Sequence, residues 1–194
     1  MILSEKDGEL FYELWFPLLD YCNQNYGGKK NARKMSAEKE LDSQEVKAAA
    51  DRIWEDVSII DEYLKRHADM PDEHQEIISG WKRCVTDHFI IERHLKKGSV
   101  FISMSNENVY LVGGIISSKE EMFCPYRMPM IVEATRLPFR DQIITDGLII
   151  PYSNFLIGGN MARDYKEIYM EADGKDPENA GSQAGKTNNK ITLK

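Results

Sequence analysis

Three carboxylates, Glu133, Asp141 and Asp146, lie close together in the second half of the chain, with Arg136 and Arg140 between them. Such groups exchange protons with a substrate and, around a metal ion, activate water. They are therefore the catalytic candidates of a metal-dependent hydrolase or nuclease. Each also has a local explanation. Asp146 precedes Gly147 and reads as a turn residue, and Asp141 follows Arg140 in another expected turn. An exposed Arg–Asp pair contributes little on its own. A second cluster is His88, Glu92 and His94, residue types that ligate zinc. On an extended strand the two histidines stand about 20 Å apart at 3.3 Å per residue. One ion cannot bridge that span without a bulge, so exposed polar residues and no metal are expected.

Cys22, Cys84 and Cys124 are widely spaced and include no C-x-x-C. They read as reduced thiols of a cytoplasmic protein rather than as a disulfide or zinc framework. The chain has no G-x-S-x-G and no H-E-x-x-H, and Gly27–Gly28–Lys29–Lys30 lacks the spacing of a phosphate-binding loop. No cofactor is implied, and the missing signatures favour a protein without catalysis.

The 194 residues carry 25 basic and 32 acidic side chains, a net charge of −7, with 42% hydrophobic residues. That composition is globular. Its acidity argues against nucleic acid or an anionic membrane as a general partner, since both reward clustered Lys and Arg. The basic run Lys29, Lys30, Arg33 and Lys34, close to Tyr26, is the local exception. Charges at Glu5, Lys6 and Asp7 precede any apolar run, so no secretory signal is expected. No run approaches the roughly 18 apolar residues of a membrane-spanning helix.

The elements that position these side chains follow from hydrophobic spacing. Ser4 with Asp7 marks a helix start, and Leu10, Phe11, Leu14, Trp15, Leu18, Leu19 and Cys22 share one face. Pro17 predicts a kink or break within it. Asp42 or Ser43 caps a second helix whose stripe runs Val46, Ala50, Ile53, Val57, Ile60 and Leu64. Asp69 and Pro71 open a third, with Ile77, Ile78, Trp81 and Val85. From His88 the period changes to 2, predicting strands. Lys96–Lys97–Gly98 turns the chain, and Ser105–Asn108 joins Val100–Met104 to Val109–Val112. Gln142–Thr145 and Leu148–Ile150 flank Asp146–Gly147, the pattern of a hairpin with a type I′ turn. Met161–Glu171 returns to helical spacing after Asn160.

The stretch Leu137-Pro138-Phe139-Arg140-Asp141-Gln142-Ile143-Ile144-Thr145-Asp146-Gly147-Leu148, the opening Phe11-Tyr12-Glu13-Leu14-Trp15 and the later Trp81-Lys82 with Phe89-Ile90-Ile91 resemble recurrent segments of an uncharacterised bacterial protein family. The resemblance extends to about Tyr165 and implies a helical N-terminal half followed by a β-rich half. Some related chains carry a SEC-C zinc motif, which this sequence lacks. The resemblance implies no catalytic residues.

The expected class is α+β: N-terminal amphipathic helices packed on a curled antiparallel sheet of about five strands, with a C-terminal helix. Residues 1–86 form the helical half, 87–172 the β-rich half and 173–194 a polar, flexible tail, the first two forming one cooperative unit. The expected function is a non-catalytic cytosolic binding or regulatory protein with a protein partner. Tyr110, Arg136, Phe139, Arg140 and Tyr152 are the candidates to line its binding surface, in a cleft between helices and sheet. A hydrolase using Glu133, Asp141 and Asp146 is the alternative, and a nucleic-acid accessory protein the third reading.

Overall fold

The computed structural model describes residues 1–27 and 43–173. The basic run Lys29–Lys34, the cap candidate Asp42 and the tail 174–194 lie outside the described residues. Contacts separate two compact units: Leu3–Thr86, and Met1–Ile2 together with the chain from Asp87 onward. Together they make an α+β protein.

The first unit is helical. Helices α1 (Glu5–Tyr26), α2 (Ser43–Glu55), α3 (Ser58–Arg66) and α4 (Asp72–Gly80) are followed by a 3-10 turn at Trp81–Arg83. Ser4 Oγ accepts from the Asp7 amide at 3.1 Å and caps α1. The helix runs unbroken through Pro17, which is exposed, while Phe11, Leu14, Trp15, Leu18, Leu19 and Cys22 are buried as their spacing predicts. The long second helix is two. Asp56 interrupts it, its carboxylate accepting from the Ser58 amide at 3.1 Å and the Ser58 hydroxyl at 2.6 Å. A side chain that offers the backbone such a bond competes with continued helix. The apolar stripe survives the break, with Ile53 and Ile60 fully buried. All three tryptophans meet in this unit: Trp15 stacks on Trp54 at 5.1 Å and meets Trp81 edge-on at 5.8 Å, with Phe11 5.7 Å from Trp81.

The second unit holds β1 (Val85–Leu95), β2 (Gly98–Ser103), β3 (Val109–Val112), α5 (Lys119–Met122), β4 (Met130–Phe139), β5 (Gln142–Thr145), β6 (Ile150–Pro151) and α6 (Gly159–Asp173). The six strands form one mixed sheet of order β1-β2-β3-β5-β4-β6, in which β4 also pairs with β1. Strands β1, β2, β3, β5 and β4 therefore close into a ring, with β3 and β5 parallel and the other described pairings antiparallel. This is a five-stranded Greek-key barrel of the OB type.

The expected hairpin at Asp146–Gly147 does not form. The tight hairpin lies one turn earlier, where Phe139 pairs with Gln142 across Arg140–Asp141 and Arg140 adopts φ 52°. Both β5 and β6 then run antiparallel to the same strand, β4. With Arg136 opposite Thr145, unbroken pairing would bring Leu148 opposite Glu133. Ile150 stands there instead, so two extra residues are looped out between the segments. Asp146–Gly147 thus begins a bulge rather than a reversal. Gly147 supplies the positive φ, +90°, that the bulge needs.

Register sorts the side chains. Ile90, Val100, Ile102 and Ile131 form a buried cluster with Tyr169, against which Met161, Tyr165 and Ile168 of α6 pack. A helix is about 10 Å wide with its side chains, and even an eight-stranded barrel has room inside only for side chains. The face under α6 is therefore the outer one.

Candidate functional site

On that outer face three polar side chains from three strands line up. His88 begins the regular part of β1, Glu133 lies in β4, and Tyr152 follows β6. Tyr152 Oη donates to Glu133 Oε2 at 3.2 Å and lies 3.0 Å from His88 Nε2. A phenol has one proton to give. With that proton on Glu133, the arrangement assigns the second contact to a His88 Nε2–H donor. The imidazole and phenol rings are 5.3 Å apart, and Phe155 continues the row 6.4 Å beyond Tyr152. His88 is exposed, and Phe155 and Leu156 are 66% and 93% exposed. Met104 joins the row through its amide, which donates to the His88 carbonyl at 2.9 Å.

Asp87 braces this end of the barrel. Its carboxylate accepts from the hydroxyls of Ser103 and Ser105 and, at 2.8 Å, from the His88 amide. Partial burial raises its pKa, but these hydrogen bonds outweigh that and hold it below the usual carboxylate value. Ser103 is fully buried, so the anchor is firm where His88 leaves it. Tyr165 of α6 sits close by, its phenol pushed up first by burial and then by the negative charges of Glu107 and Asp87.

The structure brings some sequence candidates together and separates others. Glu133 and Tyr152 meet, as above. Tyr110 and Arg136 also meet, the guanidinium lying 4.3 Å over the phenol ring. Arg136 Nε is buried without a hydrogen-bond partner among the described residues. This is a cation–π contact, and Phe89 packs edge-on against the same ring at 6.2 Å. Phe139 is core, 1% exposed, and Arg140 and Asp141 are the exposed corners of the β4–β5 turn.

Asp146 is 4% exposed, not a surface turn residue. Its Oδ1 accepts from the Leu148 amide at 3.0 Å, bracing the bulge. The cation facing it is Lys119, which is 2% exposed and donates to Thr145 Oγ1 at 3.0 Å. Burial drives the Lys119 pKa down to about 8, and the Asp146 charge opposes that fall only in part. The three catalytic candidates differ in surroundings: Glu133 accepts from Tyr152, Asp141 is exposed at a turn and Asp146 is buried. The His88–Glu92–His94 set separates. A bulge falls between Ile91 and Arg93, Ile90 pairs with Ile102 and His94 with Ser99, so His88 and His94 point to opposite faces. Among the described residues no three His, Cys, Asp or Glu side chains converge as a metal site. No described helix is long and apolar enough to cross a membrane.

Sequence reasoning weighed His88 only as a metal ligand and passed over Lys119, Asp87, Phe155 and Leu156. One signal was available: no charged residue occurs from Leu148 to Ala162, in a chain with 29% charged residues. Comparison with protein-family models finds no match, and comparisons with curated proteins and with solved structures find none either.

Proposed function

We propose that this chain is a non-catalytic binding module and that the row His88, Tyr152 and Phe155 is its recognition surface. The observation that carries the reading is the row itself. Rings from two segments are brought into line: His88 and Tyr152 are held in register by the His88–Tyr152–Glu133 hydrogen bonds, and Phe155, one turn on from Tyr152, projects into solvent. Aromatic side chains with few rotatable bonds make contact area at low entropic cost, which suits them to recognition. A large exposed apolar group in line with ordered polar ones is a recurrent mark of a partner surface.

The barrel type does not name a ligand, because function resides in sites and not in folds. OB barrels that hold oligonucleotides use the face of strands 2 and 3. Here α6 covers Val100, Ile102 and Val109 of those strands, which favours a protein partner over a nucleic acid. Glu133 is engaged by Tyr152 and Asp146 is buried against the Leu148 amide, which supports binding over hydrolysis. The resemblance to an uncharacterised bacterial family fits this reading and adds no activity to it.

Site-specific photo-crosslinking in cells tests the proposal. A benzophenone amino acid at the exposed Asn154, beside the row, should yield a discrete protein adduct. The same probe at the exposed Lys65 of α3 should not. Adducts that are absent, or equal at the two positions, would overturn the reading.

A further inference from the structure

The surface around the row also carries information about what it binds. Ile150, Phe155, Leu156 and Met104 are 42%, 66%, 93% and 38% exposed. They are linked through the contacts described above: Met104 to His88, His88 to Tyr152 and Tyr152 to Phe155, with Ile150 paired beside Glu133. Nothing charged interrupts the segment from Leu148 to Ala162. Acidic groups stand at its edge, while the cation Arg93 lies farther along α6, over the Tyr169 ring at 4.7 Å. Glu133 accepts from Tyr152, and the charges of Asp87 and Glu107 both reach Tyr165.

Glu107 is placed with care. It is exposed at the tip of the β2–β3 loop and holds φ +61°, a conformation that a non-glycine residue adopts at a cost. The loop that imposes it is closed by hydrogen bonds: Ser103 N to Asn108 O at 2.9 Å, Glu107 N to Ser103 O at 3.0 Å and Asn108 N to Asn106 Oδ1 at 3.0 Å. A glycine or asparagine would relax that position. A carboxylate stands there instead, displayed toward solvent beside an apolar surface.

We infer that this surface takes a protein segment in which an apolar side chain is flanked by Lys or Arg. The apolar group buries against Phe155, Leu156 and Met104, and a basic group meets the exposed carboxylate of Glu107 at the rim. The inference rests on the binding-module reading and specifies its partner. Charge complementarity is what selects this occupant. A second copy of the chain, itself at −7, would bring a like-charged rim against this one, and a nucleic acid would bring phosphates.

Three 15-residue fluorescent peptides test it on the full chain by fluorescence anisotropy. One alternates Leu and Phe with Lys and Arg, one replaces the basic residues with Glu, and one replaces the apolar residues with Ser. The first should bind, weakening as salt rises, because rim pairs are exposed and screened. Glu107→Lys should weaken it by about threefold to tenfold through repulsion, and Leu156→Glu should abolish it. Equal binding of the acidic peptide, binding of the Ser peptide as tight as the first, or binding of none would overturn the inference. So would a self-association in sedimentation that Leu156→Glu removes. The cellular crosslink at Asn154 can succeed while all peptides fail, in which case the binding surface stands and the basic-apolar partner falls.

Discussion

Burying Lys119 as an ammonium costs stability, and that cost should vanish in a defined pH window. Its pKa falls from 10.5 to about 8 in the folded chain. Each unit corresponds to about 1.4 kcal/mol, so the folded state bears a penalty of roughly 3 kcal/mol for holding the charged form. Below pH 8 the amine is charged in both states and the penalty is constant. Between pH 8 and 10.5 the folded amine is neutral while the unfolded one still binds a proton, so stability rises with pH. Above 10.5 the gain is complete. Other groups oppose this trend: Tyr12, Tyr63 and Cys22 are raised by burial and lose stability over alkaline pH. A difference measurement removes them. Lys119→Met keeps a side chain of similar length without the titrating group. Urea unfolding of both proteins, followed by tryptophan fluorescence from pH 7 to 11, should show the wild type gaining about 3 kcal/mol on the variant across the window, with both curves parallel below it. A difference that stays flat to pH 11 would refute the buried-ammonium argument.

Two further outcomes follow from geometry. Gly147→Ala should destabilise the protein by about 1–2 kcal/mol in urea unfolding, because the bulge holds φ at +90°. The added methyl finds only Ile115 Cδ1 at 3.9 Å, so strain and not collision is tested, and an unchanged midpoint would show that the bulge relaxes freely. Asp87 has a depressed pKa. The stability it contributes is present above its unfolded value and lost as pH falls through the folded one, so Asp87→Asn should flatten the acid limb of unfolding below about pH 4. An acid limb identical to the wild type's would remove the anchor role from the Ser103–Ser105–His88 hydrogen bonds.

The proposed binding surface was only partly legible in the sequence. Tyr152 and Glu133 stood out as a ring and a carboxylate in a strand-rich region, but nothing in their spacing says that a strand far earlier in the chain, 64 residues before Tyr152 at His88, reaches the same hydroxyl. The carboxylates Glu133, Asp141 and Asp146 are close in number but differ in surroundings that no spacing encodes: the first accepts from Tyr152, the second is exposed at a turn and the third is buried. The Asp-Gly pair was read correctly as needing positive φ at Gly147, and wrongly as needing it at Asp146 and as a reversal. The dipeptide specifies a local backbone shape, and only the partner strand decides whether that shape turns the chain or bulges it. In the helices, the apolar stripe is buried at Val46, Ala50, Ile53 and Ile60 and half-buried at Val57 and Leu64 although the helix beneath it breaks at Asp56, since burial selects side-chain positions and tolerates a cap between them.

Composition and periodicity by themselves determined the α+β class, a change from helices to strands that the spacing puts at His88 and the structure at Val85, the buried face of α1 and the positive φ of Gly147. These are local matters, settled by which residues can share a helix face or alternate across a strand. Tertiary structure alone decided that the strands close into a ring with a parallel β3–β5 pair, that His94 leaves the face of His88, that Lys119 is enclosed beside Asp146, and that His88, Tyr152 and Phe155 form one row. Each of these depends on pairing between distant segments. A one-residue change of register there sends a side chain to the other face, and no local pattern encodes that choice.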